Sequence, residues 1–249
     1  MMKRSEEGTS ASALRRVPRP FETWTERVLT GLGPQPDHTV TDLGVGRGRT
    51  LASLFDTSGA AHVIAVDRSR SNLEAVGAQY PPTRVTTVLD DASRVGCDLS
   101  GGQGHVDAVM SIATLHHISD HQAVVSNIGR ALRPGGVLSL EAAALGNVAA
   151  VRASASAVGL SVGAQHPVDP DSLHEALKGA GFHSVTVRTY RDAVTISDRQ
   201  VLKAHLFAMF SGLLGHVSRD DLSQAIDRMM QELPEPVIDY SRVQVRAIR

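Results

Sequence analysis

Residues 40–50 read VTDLGVGRGRT, and the next apolar run, HVIAVD, ends on Asp67. A strand-like segment, three glycines on alternate positions and a helix-compatible stretch from Thr50 to Phe55 leave few folds open. Gly44, Gly46 and Gly48 carry no Cβ, so the backbone there can come close to a ligand that any other residue would hold off. Asp67 follows about 20 residues later, at the end of a second strand, where a carboxylate is placed to accept bonds from ribose hydroxyls. The pattern points to an α/β chain that binds a nucleoside-bearing cofactor.

The remaining sequence keeps the same alternation. Strand patterns fall at His38–Leu43, His62–Val66, Arg84–Leu89, Val106–Ile112, Val137–Leu140, Ser184–Tyr190 and Ser241–Ile248. Helical patterns fall at Ser71–Gln79, at a segment capped by Ser119 and Gln122 and running to Leu132, and from Asp169-Pro170 to near Gly179. Such alternation predicts a mainly parallel sheet covered on both faces. Gly146–Pro167 reads as a mobile connection with some helix. Ser197–Leu233 reads as two helices, capped by Ser197 with Gln200 and by Ser218 with Asp221. Leu202, Leu206, Met209 and Leu213 give the first its apolar stripe; Leu222, Ile226, Met229 and Leu233 give the second. Phe207, Met209 and Phe210 either line a pocket or pack this pair onto the domain. The expected organisation is a flexible tail over 1–20 and a single domain over 21–249, with 197–233 as a helical cap insertion.

Composition narrows the function classes. The chain has 249 residues, 42% of them hydrophobic, a net charge of −1 and no basic stripe through its body. A surface dedicated to duplex nucleic acid needs many phosphate-neutralising Lys and Arg, so no nucleic-acid partner is expected. Arg15, Arg16 and Arg19 in the tail read as solvated. Cys97 is the single cysteine, which leaves no internal disulfide. No run of 18 apolar residues spans a membrane, and the basic N-terminus lacks the apolar stretch of a secretory signal, so a cytoplasmic protein is expected.

The glycine register separates two cofactor classes. In a G-x-G-x-x-G dinucleotide turn the third glycine would stand at Arg49, so a nicotinamide oxidoreductase is disfavoured. D-x-G-x-G-x-G, from Asp42 to Gly48, resembles motif I of the class I S-adenosylmethionine (SAM)-dependent methyltransferases. VLDDA (88–92), VDAVMSIATLHHI (106–118) and RALRPGGVLSL (130–140) continue the likeness in the family's order, over about residues 36–142. The resemblance implies a Rossmann-like, doubly wound, mainly parallel seven-stranded sheet with helices on both faces and a small helical cap. It implies SAM as cofactor, with Gly44, Gly46 and Gly48 beside its methionine and ribose and Asp42 near its ammonium. Asp67 would lie on the ribose, Arg68, Asp91 and Ala92 at the adenine edge, and Ser111 and Ile112 under the sulfonium.

His116 and His117 are the candidate catalytic residues, because imidazole titrates near neutrality; one or both are alternatively structural. His117 and His121 have helical i, i+4 spacing, but no third ligand is evident and no metal is expected. The expected reaction is methyl transfer to a small molecule, with oxygen favoured over nitrogen. The alternative is a SAM-binding protein with non-methylating chemistry (cyclisation, decarboxylation or carboxypropyl transfer) or a purely binding role. A homodimer is left open.

Overall fold

The computed structural model describes residues 20–249 except 61, 95, 103, 161–164 and 211–215. The expected tail and its three arginines, and Leu213 of the helical pair, therefore fall almost wholly outside the described residues. The chain divides into two compact units. The larger comprises Phe21–Leu145, Gln165–Tyr190 and Arg242–Arg249; the smaller includes Gly146–Ala164 and Arg191–Ser241.

The larger unit is built on strands β1 (Thr39–Leu43), β2 (His62–Asp67), β3 (Val85–Leu89), β4 (Val106–Ile112), β5 (Leu132–Ala143), β6 (His183–Thr195) and β7 (Val237–Ile248), the last two running on into the smaller unit. They form one seven-stranded sheet in the order β3-β2-β1-β4-β5-β7-β6. The pairs β1–β2, β1–β4, β2–β3 and β4–β5 are parallel, and β7 runs antiparallel to β5. Val63, Ile64, Ala65 and Val66 are all buried, as a strand covered on both faces requires. The strand order turns back at β1 and β4, and in open sheets of this kind ligands bind beyond the carboxyl ends at that switch.

The helices are α1 (Pro20–Leu32), α2 (Leu51–Ser58), α3 (Arg70–Gly77), α4 (His121–Ala131), α5 (Ala149–Ala157), α6 (Pro170–Gly179), α7 (Arg199–Phe210) and α8 (Arg219–Glu232), with a 3₁₀ turn at Leu115–His117. Helix α6 begins as its sequence predicts: Asp169 accepts from the Asp171 N–H, and Pro170 fills the first turn. Two caps shift by one residue. Asp120, rather than Ser119, opens α4 by accepting from the Ala123 N–H, and Asp198, rather than Ser197, accepts from Gln200 and Val201 at α7. A carboxylate one position nearer the helix outcompetes the hydroxyl because the bond is charge-assisted. Ser218 caps α8 as expected.

Helix α1 has no counterpart in the sequence reading, which places no element between the tail and β1. Trp24, Val28 and Leu32 are buried at i, i+4 and i+8. The Ser139 hydroxyl donates to the Val28 carbonyl at 2.8 Å, and Arg246 Nε donates to the Gly31 carbonyl at 2.8 Å. These bonds seat the C-terminal half of α1 on β5 and β7, and leave Phe21 and Trp24 at its other end.

In the smaller unit α7 and α8 pair as an antiparallel-type hairpin would, with Lys203 Nζ 2.5 Å from Asp227 Oδ2. Phe210 is buried, Phe207 lies under the Arg219 guanidinium and Met209 faces outward. Of the three, Phe210 packs the unit.

Leu138 on β5 is fully buried in the core of the larger unit. Leu138→Ala removes that side chain with little room for relaxation and is expected to lower stability by about 2–5 kcal/mol in urea unfolding. A loss well under 1 kcal/mol would show that β5 is not central to the core.

Candidate active site

A cavity of about 490 Å³ opens beyond the carboxyl ends of β1, β2 and β4. That volume lies within the range of small-molecule and cofactor sites. The glycine turn forms one wall. Gly44 has φ +77, and a Cβ there would collide with the Thr114 side chain. Gly46 has φ +56 and nothing within 4 Å of its Cβ position, so a side chain there would project into open space on the cavity side of the turn. Both angles lie in the left-handed region that other residues rarely adopt.

Asp67 holds this turn to β2. Its Oδ2 accepts from the Gly46 N–H at 2.8 Å; its Oδ1 accepts from the Ser69 N–H at 2.8 Å and from Asn72 Nδ2 at 3.3 Å. An ionised carboxylate has about four acceptor positions, so Asp67 retains capacity for a ligand's hydroxyls on the cavity side. Arg68, Asp90, Asp91 and Ala92 line the next wall. The Asp90 carboxyl is held low by its hydrogen bond to Arg94, and that of Asp91 by the Ser93 hydroxyl. Ile112, Ala113, Thr114, His117 and Ile118 also line the cavity, as does Phe21, over whose ring the Arg49 guanidinium lies at 4.4 Å.

Three expected contacts lie behind the lining. Asp42 is buried and accepts from the Thr50 hydroxyl at 2.5 Å; burial pushes its carboxyl up to about 7. Ser111 donates to the Leu43 carbonyl at 2.8 Å, which braces β4 against β1. Gly48 faces Val76 and Leu51. These residues set the shape of the turn from within.

The two histidines diverge. His116 is 8% exposed, and its Nδ1 accepts from the Ala143 N–H at 3.3 Å. Burial pushes its pKa down to about 3. It is committed to holding the turn against β5. His117 lies against it, with ring centroids 4.3 Å apart and planes tilted by 40°, and faces the cavity. Burial, with Arg68 nearby, lowers its pKa as well, so its imidazole is neutral at pH 7. His121 Nε2 donates to the Leu115 carbonyl at 3.1 Å and stands off the cavity. Among the described residues no cluster of three His, Cys, Asp or Glu suits a metal ion.

Several further lining residues escape sequence reasoning, among them the following five. Phe21 belongs to the unpredicted α1; Arg47 and Arg49 are the variable positions between and after the glycines; Asn72 lies in the first turn of α3; Ala113 has φ 56, which no sequence signal marks. The Ser69 cap of α3 was the one available pointer to Asn72.

A SAM molecule has groups that suit this cavity: vicinal ribose hydroxyls for Asp67, a flat base for the Arg68–Ala92 wall, and an amino-acid end for the glycine turn. Residues 41–140 match the family model described as a methyltransferase domain. An O-methyltransferase of Pyrenophora dematioidea is 30% identical over 119 residues, covering 48% of this chain and 44% of that protein. A trans-aconitate 2-methyltransferase of Deinococcus radiodurans is 32% identical over 116 residues, covering 46% and 42%. The chain thus spans less than half the length of these curated relatives. A geranyl diphosphate methyltransferase solved with SAM superposes with a TM-score of 0.61 at 16% identity, covering 100% of this chain and 93% of that one, and shares the fold. Its turn, its strand order and its matched segment agree: residues 41–140 carry the likeness to a methyltransferase domain.

Proposed function

We propose that the chain transfers a methyl group from SAM to an oxygen atom of a small molecule, with His117 as proton acceptor. The observation that carries this reading is the placement of a neutral imidazole in the cavity lining, with Ile112, Ala113 and Thr114. SAM, when bound, supplies an activated methyl group on a cationic sulfur. The chain's own task is then to align the acceptor, exclude water and remove a proton. Asp67 and Asp91 fix the nucleoside end, the glycine turn and Asp42 the amino-acid end. An alcohol or phenol loses its proton to a ring nitrogen of His117, while the His116 ring packs against it. The names of the relatives support oxygen: an O-methyltransferase and a ubiquinone biosynthesis O-methyltransferase are among them. Intact mass of phenol, amine and carboxylic acid candidates after incubation with SAM tests the reaction; hydroxyl compounds are expected to gain one methyl.

Three variants check the assignments. Asp67→Ala removes a charged acceptor from the ribose and is expected to weaken SAM binding by about 1.5–3 kcal/mol in calorimetry. An unchanged affinity would mean that Asp67 serves the Gly46 turn alone.

His117→Ala is expected to lower turnover by ~10²–10⁴ while SAM affinity survives. Because the His117 pKa lies below 6.5, wild-type turnover is level above that pH and falls on the acid side as the imidazole gains a proton. A profile that keeps falling up to pH 8 would assign the limb to another group.

Asp42 tests the buried acid. Its folded pKa of about 7 exceeds the unfolded value of 3.8, so its contribution to stability is full below pH 3.8 and is lost as pH rises through 7. The loss is on the order of 4 kcal/mol as an upper limit. Asp42→Asn keeps an acceptor for Thr50 and cannot ionise. Without ligand it is expected to melt above wild type at pH 8.5, with the gap narrowing toward pH 5 and closing only near pH 3.8. At pH 8 it should bind SAM more weakly, since the neutral amide no longer attracts the ammonium. Equal melting temperatures at both pH values would place the Asp42 charge in contact with water.

A further inference from the structure

The cavity lining holds cations that the reaction described above leaves unused. Arg47, Arg49 and Arg68 all line it, and the first two belong to the glycine turn itself. Both are exposed. Among the described residues, no hydrogen bond or ion pair engages either guanidinium of the turn. The Arg47 carbonyl, not its side chain, accepts from Gln79 Nε2 at 3.1 Å, and the Arg49 guanidinium lies over the Phe21 ring, 4.4 Å from its centre. The acids of the same lining are committed elsewhere. Asp67 accepts from Gly46, Ser69 and Asn72; Asp90 pairs with Arg94; Asp91 accepts from the Ser93 hydroxyl at 2.7 Å. Arg68 stands nearer Asp91, whose carboxyl its charge helps to hold low.

Stability does not account for this pair. Helix α2 starts at Leu51 with no acidic residue in its first turn, and cations just before a helix oppose its macrodipole. Two like charges two positions apart in one turn also repel each other. The surroundings instead suit an incoming anion. Gly46 and Gly48, at φ +56 and +81, fix the backbone from which the two side chains leave. The Phe21 ring seats the Arg49 guanidinium over its face, where the cation is attracted while its N–H groups stay available to oxygen. A guanidinium is a planar fork of donors that matches a carboxylate or phosphate.

We propose that Arg47 and Arg49 are the specificity-determining residues for the acceptor: they hold an anionic group, a carboxylate or a phosphate, on a molecule whose hydroxyl takes the methyl. This rests on the methyl-transfer reading and adds the acceptor's class to it. The amino-acid end of SAM brings a carboxylate of its own to this turn. Two guanidiniums carry about ten N–H donors against about four acceptor positions on one carboxylate, so the cofactor alone does not use them up. A second anion therefore finds donors, and an ammonium group at the same point meets like-charge repulsion.

The test uses the full chain saturated with S-adenosylhomocysteine, which fills the amino-acid end of the cofactor site, so that calorimetry reads the acceptor alone. The probes are 4-hydroxybenzoate, hydroquinone monophosphate, tyramine and 4-hydroxybenzyl alcohol. At least one of the two anions is expected to bind about tenfold more tightly than tyramine and the neutral alcohol, the scale of one charge-assisted hydrogen bond. Added salt should erode that preference, since the pair is exposed. The double variant Arg47→Gln/Arg49→Gln changes only exposed side chains, so it should melt as wild type does, still bind S-adenosylhomocysteine and lose the preference for the anion. The proposal is overturned if neither anion binds more tightly than tyramine, or if the double variant keeps the preference. A double variant that loses S-adenosylhomocysteine affinity but, once saturated with it, still prefers the anion assigns the arginines to the cofactor's carboxylate and overturns the proposal as well. A wild type that binds an anion through the two arginines yet methylates neither anionic probe in the presence of SAM upholds the anion site and counts against methyl transfer instead.

Discussion

The bond from the Gly46 N–H to Asp67 Oδ2 ties the rest of the site together. It closes the turn after β1 onto the end of β2, and with the Ser69 and Asn72 bonds to Oδ1 it fixes the carboxylate before any ligand arrives. The turn needs left-handed angles at Gly44 and Gly46, which side chains resist. Once those angles are met, the Gly44 carbonyl region comes within reach of Thr114, the Gly44 N–H reaches the Val66 carbonyl at 2.8 Å, and the walls supplied by β1, β2 and β4 share one opening. Pre-organisation of this kind spends conformational entropy at folding rather than at binding.

The parts of this arrangement that are legible in the sequence are those with local causes. The glycine turn follows from residue type and spacing; β2 follows from an unbroken run of Val, Ile and Ala; α6 follows from Asp169-Pro170. The parts that are not legible depend on distant partners. Helix α1 buries Trp24, Thr25, Val28, Leu29 and Leu32 in one short helix, and its place is secured by Ser139 and Arg246, more than 100 positions away in the chain. Strands β6 and β7 extend beyond their alternating cores because neighbouring strands supply hydrogen-bond partners for residues whose own pattern is weak. Asp67, Asp91 and Ala92 line the cavity where their motifs imply, whereas Glu141 reads from sequence as one more residue of a strand. Its register with Ile112 and its pairing with Arg242, a hundred residues on, exist only in the fold.

Two buried acids stand close to the cavity, and the fold treats them differently. Asp42 sits behind the glycine turn with a hydroxyl donor at 2.5 Å, close enough that one hydrogen bond offsets part of its desolvation. Glu141 sits across β4 among Arg242, Tyr190 and Arg27, whose pull opposes the effect of burial. Both carboxyls are raised by burial, Asp42 against a single hydroxyl and Glu141 against a cluster of donors.

The adjacent histidines show how one short element separates two roles. In a 3₁₀ turn successive side chains are about 120° apart. Leu115–His117 is such a turn, so its three consecutive side chains must point three ways: Leu115 into the core, His116 to the Ala143 N–H and His117 to the cavity. A regular helix would have turned neighbouring residues by about 100° and a strand by 180°, and neither spacing places one imidazole on β5 and the next on the cavity wall while keeping the rings 4.3 Å apart. His116 is then spent on position. Its Nδ1 accepts a backbone N–H, which fixes the proton on Nε2, and its burial keeps it neutral, so the ring beside His117 carries no charge that would further depress the proton affinity of its neighbour at working pH. The doubled imidazole therefore puts one ring on the Ala143 N–H and the next on the cavity wall.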